Sequence, residues 1–250
     1  MRKTLIFGNG LGMALDPEFY SLDSAIGCAW DGEDSFDEAT RELVRCCLVD
    51  PAKERPHGED DMDALQLVIS SCDFLASMRR GGANWLSDHG QQFPAAVRKF
   101  LYQTALHFHQ GEKLLPLHFV DPLAAFLLDT KSHVATLNYD NLLYQRMIEK
   151  GVLDGYSGAL VDGMLSCGFA PDNLERKYGR NFGYYMHLHG PPLFVDQDGA
   201  VKKLPQGKLG GDGDVVGSHI VLTHVKHKPT VIAASALLQS YWEHLERALS

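Results

Sequence analysis

Residues 3–12 read KTLIFGNGLG. A short apolar run ending at Phe7 gives way at once to Gly8-Asn9-Gly10-Leu11-Gly12, which predicts a buried first strand entering a glycine-rich turn. Such a turn opens many α/β sheets, because glycines after a first strand let a phosphate approach the backbone at a helix N-terminus. The three glycines do not fit GxGxxG, since the third comes one residue early, and no lysine completes a P-loop. Read alone, the turn serves equally well as a tight bend that needs positive φ.

Further along the chain, strand-like runs return at 132–137, 182–188, 192–195 and 219–225, separated by connections containing Gly and Asp. Between the first and second runs the period changes. Met62, Leu65, Ile69, Cys72 and Ala76 recur at helical spacing, as do Val97, Phe100, Leu101, Thr104 and Phe108. The expected fold is α/β: one domain over 1–250, a Rossmann-like parallel sheet with helices on both faces and a helical insertion after the first strand, at about 36–128. The stretch 207–217, GKLGGDGDVVG, reads as a surface loop. Leu237, Leu238, Tyr241, Leu245 and Leu249 predict a final amphipathic helix. A doubly wound sheet usually continues from such a helix into another strand, so the chain is expected to be truncated at its C-terminus, a piece of a longer protein.

Composition narrows the function. With 250 residues, 45% of them hydrophobic, the chain can bury a sizeable core. Its net charge of -9 argues against a general nucleic-acid binder. Cys28, Cys46, Cys47, Cys72 and Cys167 form no CxxC pair and suit reduced thiols, hence a cytoplasmic location. Gly8 cuts short the apolar start of MRKTLIF, and no run reaches the length of a membrane span.

Two further stretches could carry chemistry. In TLNYDNLL, residues 136–143, an apolar run ends in Asn138-Tyr139-Asp140, and residues two apart on an extended chain face the same way. Asn138 and Asp140 are therefore expected to enter one pocket. In YYMHLHGPP, residues 184–192, His187 and His189 share a face of a strand that Gly190-Pro191-Pro192 ends sharply. His189 at the rim is the candidate general base, and His187 fits the core equally well. The HxH pair with His224, His227 and Asp140 also has the donor types of a metal site, although twelve histidines make chance pairs common. His107 and His109 are read as such a chance pair, on a helix where they diverge. Cys46-Cys47 lacks a nearby base and is assigned to packing, and Glu59-Asp60-Asp61 to the start of a helix.

Taken in order, FGNGLG, TLNYDNLL and HLHGPP resemble the motifs of the sirtuin fold, specifically the divergent sirtuin-like domains of bacterial anti-phage defence proteins. The sirtuin GAG-type loop, T-x-N-x-D and H-G correspond here to Gly8-Asn9-Gly10, Thr136-Leu137-Asn138-Tyr139-Asp140 and His189-Gly190. The segment THVKHKPTVIAASALLQSYWEHLERAL also looks like the stretch before the last nucleotide-binding strand of those proteins. The resemblance implies an NAD+ hydrolase that cleaves NAD+ to nicotinamide and ADP-ribose and depletes cellular NAD+ when triggered. It implies catalytic roles for Asn138 and His189, and NAD+-binding roles for Gly8, Asn9, Gly10, Leu11, Gly12, Thr136, Asp140 and Gly190. It implies no metal, a homo-oligomer, and a HerA-like ATPase or other defence partner. The chain departs from sirtuins in lacking the Ile-Ser and Phe-Arg of the first loop and a CxxC zinc module, which argues against a protein deacylase. The competing expectations are a non-catalytic NAD or ADP-ribose sensor and a metal-dependent hydrolase built on the HxH pair.

Overall fold

A computed structural model of the protein describes residues 2–32, 36–78, 84–197, 199–204, 219–223 and 227–250. Strand β1 (Thr4–Phe7) is followed by six helices: α1 (Gly10–Leu15), α2 (Leu22–Asp31), α3 (Glu38–Cys47), α4 (Glu59–Ser77), α5 (Asp88–His109) and α6 (Leu117–Thr130). Then come β2 (His133–Thr136), α7 (Leu142–Glu149), the short strands β3 (Leu160–Val161), β4 (Met164–Leu165) and β5 (Gly168–Phe169), and β6 (Gly183–His187). The hairpin β7 (Phe194–Gln197) and β8 (Ala200–Lys203) precedes α8 (Lys228–Ala233) and α9 (Ala236–Leu249).

Four strands form one sheet in the order β1-β2-β6-β3, every neighbouring pair parallel, flanked by helices in a Rossmann-like arrangement. Val134 and Ala135 of the inner strand β2 are fully buried, which is why its sequence reads as a continuous apolar run rather than an alternation. The outer strand β1 differs from the expected buried strand. It lies at the sheet edge among the described residues, and Ile6 is 55% exposed.

The helical excursion begins earlier than its sequence period suggests, at Gly10, and lasts to Thr130. Side-chain oxygens of Ser21, Asp37 and Ser87 accept the N–H of Ser24, Thr40 and Gly90 and start α2, α3 and α5. Apolar faces of α2 to α5 meet in a cluster that includes Ile26, Met62, Ile69, Val97 and Phe100. A second cluster packs α6, α7 and α9 against the sheet, with Leu127, Met147, Leu237 and Tyr241 at its centre. Each large side chain so buried contributes roughly 1.5–3 kcal/mol.

Two expected strands change character. The 192–195 run is half of the antiparallel hairpin β7–β8, outside the main sheet. Residues 219–223 are buried yet belong to no strand, lying against the turn after β6, where Val221 N–H donates to the His189 carbonyl at 2.9 Å. The expected loop at 207–217, together with 224–225, lies outside the described residues. No described helix is long and apolar enough to cross a membrane.

Candidate active site

The register of the sheet brings distant residues to one level. Phe7 lies opposite Thr136, and Thr136 opposite His187, so the loops leaving β1, β2 and β6 begin side by side at the carboxyl ends of parallel strands. In open α/β sheets that edge is where ligands bind.

After β2 the chain stops pairing because the Thr136 hydroxyl accepts the Asn138 N–H at 3.1 Å. Asn138 is 5% exposed, and among the described residues its Oδ1 has no hydrogen-bond partner. The Asp140 carboxylate does not line the cleft and accepts the Leu142 N–H at 3.0 Å, at the first turn of α7. Burial pushes the Asp140 carboxyl up to about 6, against hydrogen bonds from Leu142 and the Asn138 amide that favour the charged form. Between them, Tyr139 is fixed by a hydroxyl bond to the Val221 carbonyl. Its ring stacks on Phe108 at 5.9 Å and on His189 at 6.2 Å.

A cleft of about 270 Å³ opens over this row. Gly8, Asn9, Asn138, His189, Glu59 and Lys228 supply its polar or backbone surface, and Leu22, Phe108, Leu137, Tyr139 and Leu222 its apolar walls. Burial, with the Lys228 charge adding to it, holds the His189 imidazole at about 4, so the ring is neutral at pH 7. Glu59 and Lys228 face each other at 3.6 Å. His189 and Lys228 also line a neighbouring apolar cavity of about 590 Å³ that reaches Ile232, Gln239 and Trp242. The Trp242 indole N–H donates to the Leu188 carbonyl, tying α9 to the His189 turn. The two spaces together fall in the range of small-molecule and cofactor sites.

The residues singled out by sequence divide into two groups. Gly8, Asn9, Asn138 and His189 converge on the cleft, whereas Gly10, Leu11, Gly12, Thr136, Asp140 and Gly190 do not line it. Gly8 and Gly10 have ordinary negative φ and open space where a Cβ would stand, so neither a bend nor packing demands glycine there. Gly12 sits inside α1, where a Cβ would meet the Tyr20 ring at 2.6 Å. Gly190, at φ +74, has the His219 carbonyl oxygen only 1.8 Å from a would-be Cβ. Thr136 and Asp140 act on Asn138 and α7 rather than on the cleft.

His187 and His189 do not share a face. His187, at the end of β6, is fully enclosed by Tyr144, Tyr185 and Phe194, and burial lowers it to about 3. Among the described residues no group of three or more His, Cys, Asp or Glu could hold a metal, and His224 lies outside them. His107 and His109 diverge as their helical spacing predicts, His107 stacking on Phe19 and His109 turning inward. Cys46 is exposed rather than packed, and the half-buried Cys47 donates to the Leu43 carbonyl.

Sequence reading missed Glu59, Lys228 and Tyr139. Glu59 does begin α4, as the acidic run suggests, but it also faces the cleft, while Asp61 is fully buried on the Lys53 ammonium and the His57 N–H. Tyr139 carried a signal, an aromatic residue between the two polar ones. Lys228 carried none. Compared with known proteins, the chain matches no family model and no curated protein.

Proposed function

We propose that this chain is an NAD+ glycohydrolase. Water adds to C1′ of the nicotinamide ribose, the bond from C1′ to the ring nitrogen breaks with its electron pair going to nicotinamide, and ADP-ribose and one proton are released. The observation that carries the reading is Asn138, which lines the cleft with His189 and whose Oδ1 is buried and unpartnered among the described residues. A buried acceptor left unmet is costly, so it belongs to a ligand that donates, here a ribose hydroxyl or the attacking water.

The transition state is an oxocarbenium-like ribose, which needs oriented donors and acceptors more than a strong nucleophile. Asn138 fixes the hydroxyl or the water. The neutral His189 imidazole receives the proton. Glu59 provides the negative charge that a developing cation at C1′ requires, and Lys228 neutralises it in the resting protein. The open space at Gly8 suits the pyrophosphate, and the 590 Å³ cavity beyond His189 gives the rest of the dinucleotide room.

By the resemblance of its three motifs, the same reading places the activity in anti-phage defence, held off until triggered, with a homo-oligomer or a HerA-like ATPase as the controlling partner. Nicotinamide release from NAD+ by the purified protein, followed by chromatography with Asn138→Ala alongside, tests it. Release by the wild type alone is the expected result. NAD+ bound but never cleaved, with any oligomer or partner supplied, would replace the enzyme with a sensor.

A further inference from the structure

Behind Phe108, which also walls the cleft, a separate cavity of about 70 Å³ opens between the end of α5 and the start of α7. Its polar lining is Tyr20, His109, Lys113, Asn141, Gln145 and Arg146. Among the described residues no Asp or Glu lines it, although the chain carries 32 acidic residues against 23 Lys and Arg.

Several buried polar atoms there have no partner. Among the described residues the Arg146 Nε and the Asn141 Oδ1 have no partner, and the His109 ring, 8% exposed, meets only the Tyr139 backbone, which leaves one of its nitrogens unmet. Native interiors rarely leave such groups unpaired, and several around one cavity mark a place for a ligand. The other Arg146 nitrogens are committed, one to the Glu149 carboxylate at 2.6 Å and one to the Leu115 carbonyl at 3.3 Å, so the guanidinium is held in place. Gly111 keeps the wall open for the Tyr20 hydroxyl, which a Cβ there would meet at 2.2 Å.

The set combines two cations and several N–H and O–H donors with acceptors as well, the Asn141 Oδ1 and one nitrogen of the neutral His109 ring. Lys113, with no acid beside it in the lining, and the free Nε of Arg146, whose guanidinium is paired to Glu149 on its far side, favour an anion, and buried acceptors beside them select one that carries its own proton. Volume sets the size: a water needs ~10–15 Å³ of such space, so 70 Å³ holds one tetrahedral oxyanion and no attached sugar. We propose that this cavity, built from His109, Lys113, Asn141 and Arg146, is a binding site for inorganic phosphate as its hydrogen or dihydrogen ion.

The test is calorimetric titration of the full chain with inorganic phosphate at constant ionic strength, with sulfate as the control anion. The expected result is saturable one-site binding, weaker for sulfate because it brings no proton to the Asn141 Oδ1. Charge reversal at the exposed Lys113, Lys113→Glu, should weaken phosphate binding roughly tenfold or more while leaving the fold intact. Asn138→Ala should leave it unchanged, which separates this site from the cleft and from the hydrolase reading. Absence of saturable phosphate binding would overturn the proposal. So would equal affinity for sulfate, indifference to Lys113→Glu, or loss with Asn138→Ala.

Discussion

Asn138 and Asp140, two positions apart, touch through the Asn138 amide but do different work at the end of β2: Asn138 lines the cleft, its amide oxygen buried and unmet among the described residues, while the Asp140 carboxylate, which does not line it, accepts the Leu142 N–H at 3.0 Å. The pair therefore divides its work, with Asn138 offered to a ligand and Asp140 spent on the scaffold that aims it. Asn138→Ala removes the only group of the two that lines the cleft. The expected outcome is a fall in kcat for NAD+ hydrolysis of about 10²–10³-fold, typical of losing one oriented transition-state contact. Its Tm should fall modestly, because the deleted amide also donates to the buried Asp140 carboxyl, so kcat is compared at a temperature where both proteins are folded. An Asn138→Ala enzyme with wild-type turnover would remove Asn138 from the mechanism.

Acid should switch the activity off through Asp140. Its carboxyl is held at about 6 by burial, so above that pH it is charged and accepts both the Leu142 N–H and the Asn138 amide. Below it, the proton it takes up competes for those bonds and loosens Asn138. We expect the acid limb of kcat/KM near pH 6, and in Asp140→Asn, which cannot titrate, a limb displaced downward toward the His189 value of about 4. An unmoved limb in Asp140→Asn would assign it to another group.

How much of this was legible in the chain follows from which signals are local. The parallel sheet was, because β2 and β6 are buried on both faces and their sequences carry no alternation to confuse with a helix. Residues 219–223 misled for the same reason: Ile220, Val221 and Leu222 are apolar because they are buried, not because they pair in a ladder. The HxH motif promised one face, but β6 ends at His187 and the chain is already in a turn at Leu188 and His189, so His189 does not follow the strand alternation. Glu59 and Lys228, the first residues of α4 and α8, meet across 169 positions of chain, a pairing that only the tertiary fold creates.

Stability should fall with acid through the buried histidines. His109, His133 and His189 stand at about 4 and His187 at about 3, all lowered mainly by burial, against 6.5 in an unfolded chain. Between pH 6.5 and 4 the unfolded state thus binds more protons than the native one, and each such group removes up to ~1.4 kcal/mol per pH unit. Asp140 and Asp162 act in the opposite sense, since burial raises them and lets the native state take up protons first. With His219, which burial also lowers, five histidines against two carboxylates leave a net loss on acidification. Urea unfolding at pH 7.5 and pH 5 should show it, and His187→Leu, which replaces two unpartnered ring nitrogens with apolar surface, should lessen the difference. Equal unfolding free energies at the two pH values would contradict the burial of these rings.

Gly8 and Gly190 give opposite expectations for the same substitution. At Gly190 an alanine Cβ would overlap the His219 carbonyl oxygen at 1.8 Å and would have to accept φ +74, so the turn after β6 cannot hold it without moving. Gly190→Ala should cost more than about 2 kcal/mol in urea unfolding. At Gly8, φ is ordinary and no atom lies within 4 Å of the added methyl, so Gly8→Ala should unfold at nearly the wild-type urea concentration. What the methyl does occupy is open backbone at the mouth of the cleft. A bound pyrophosphate would need that space, so Gly8→Ala should raise KM for NAD+ several-fold with kcat less affected, the signature of a lost ground-state contact. A Gly8→Ala protein that is both as stable and as tightly binding as the wild type would move the pyrophosphate away from the β1 turn.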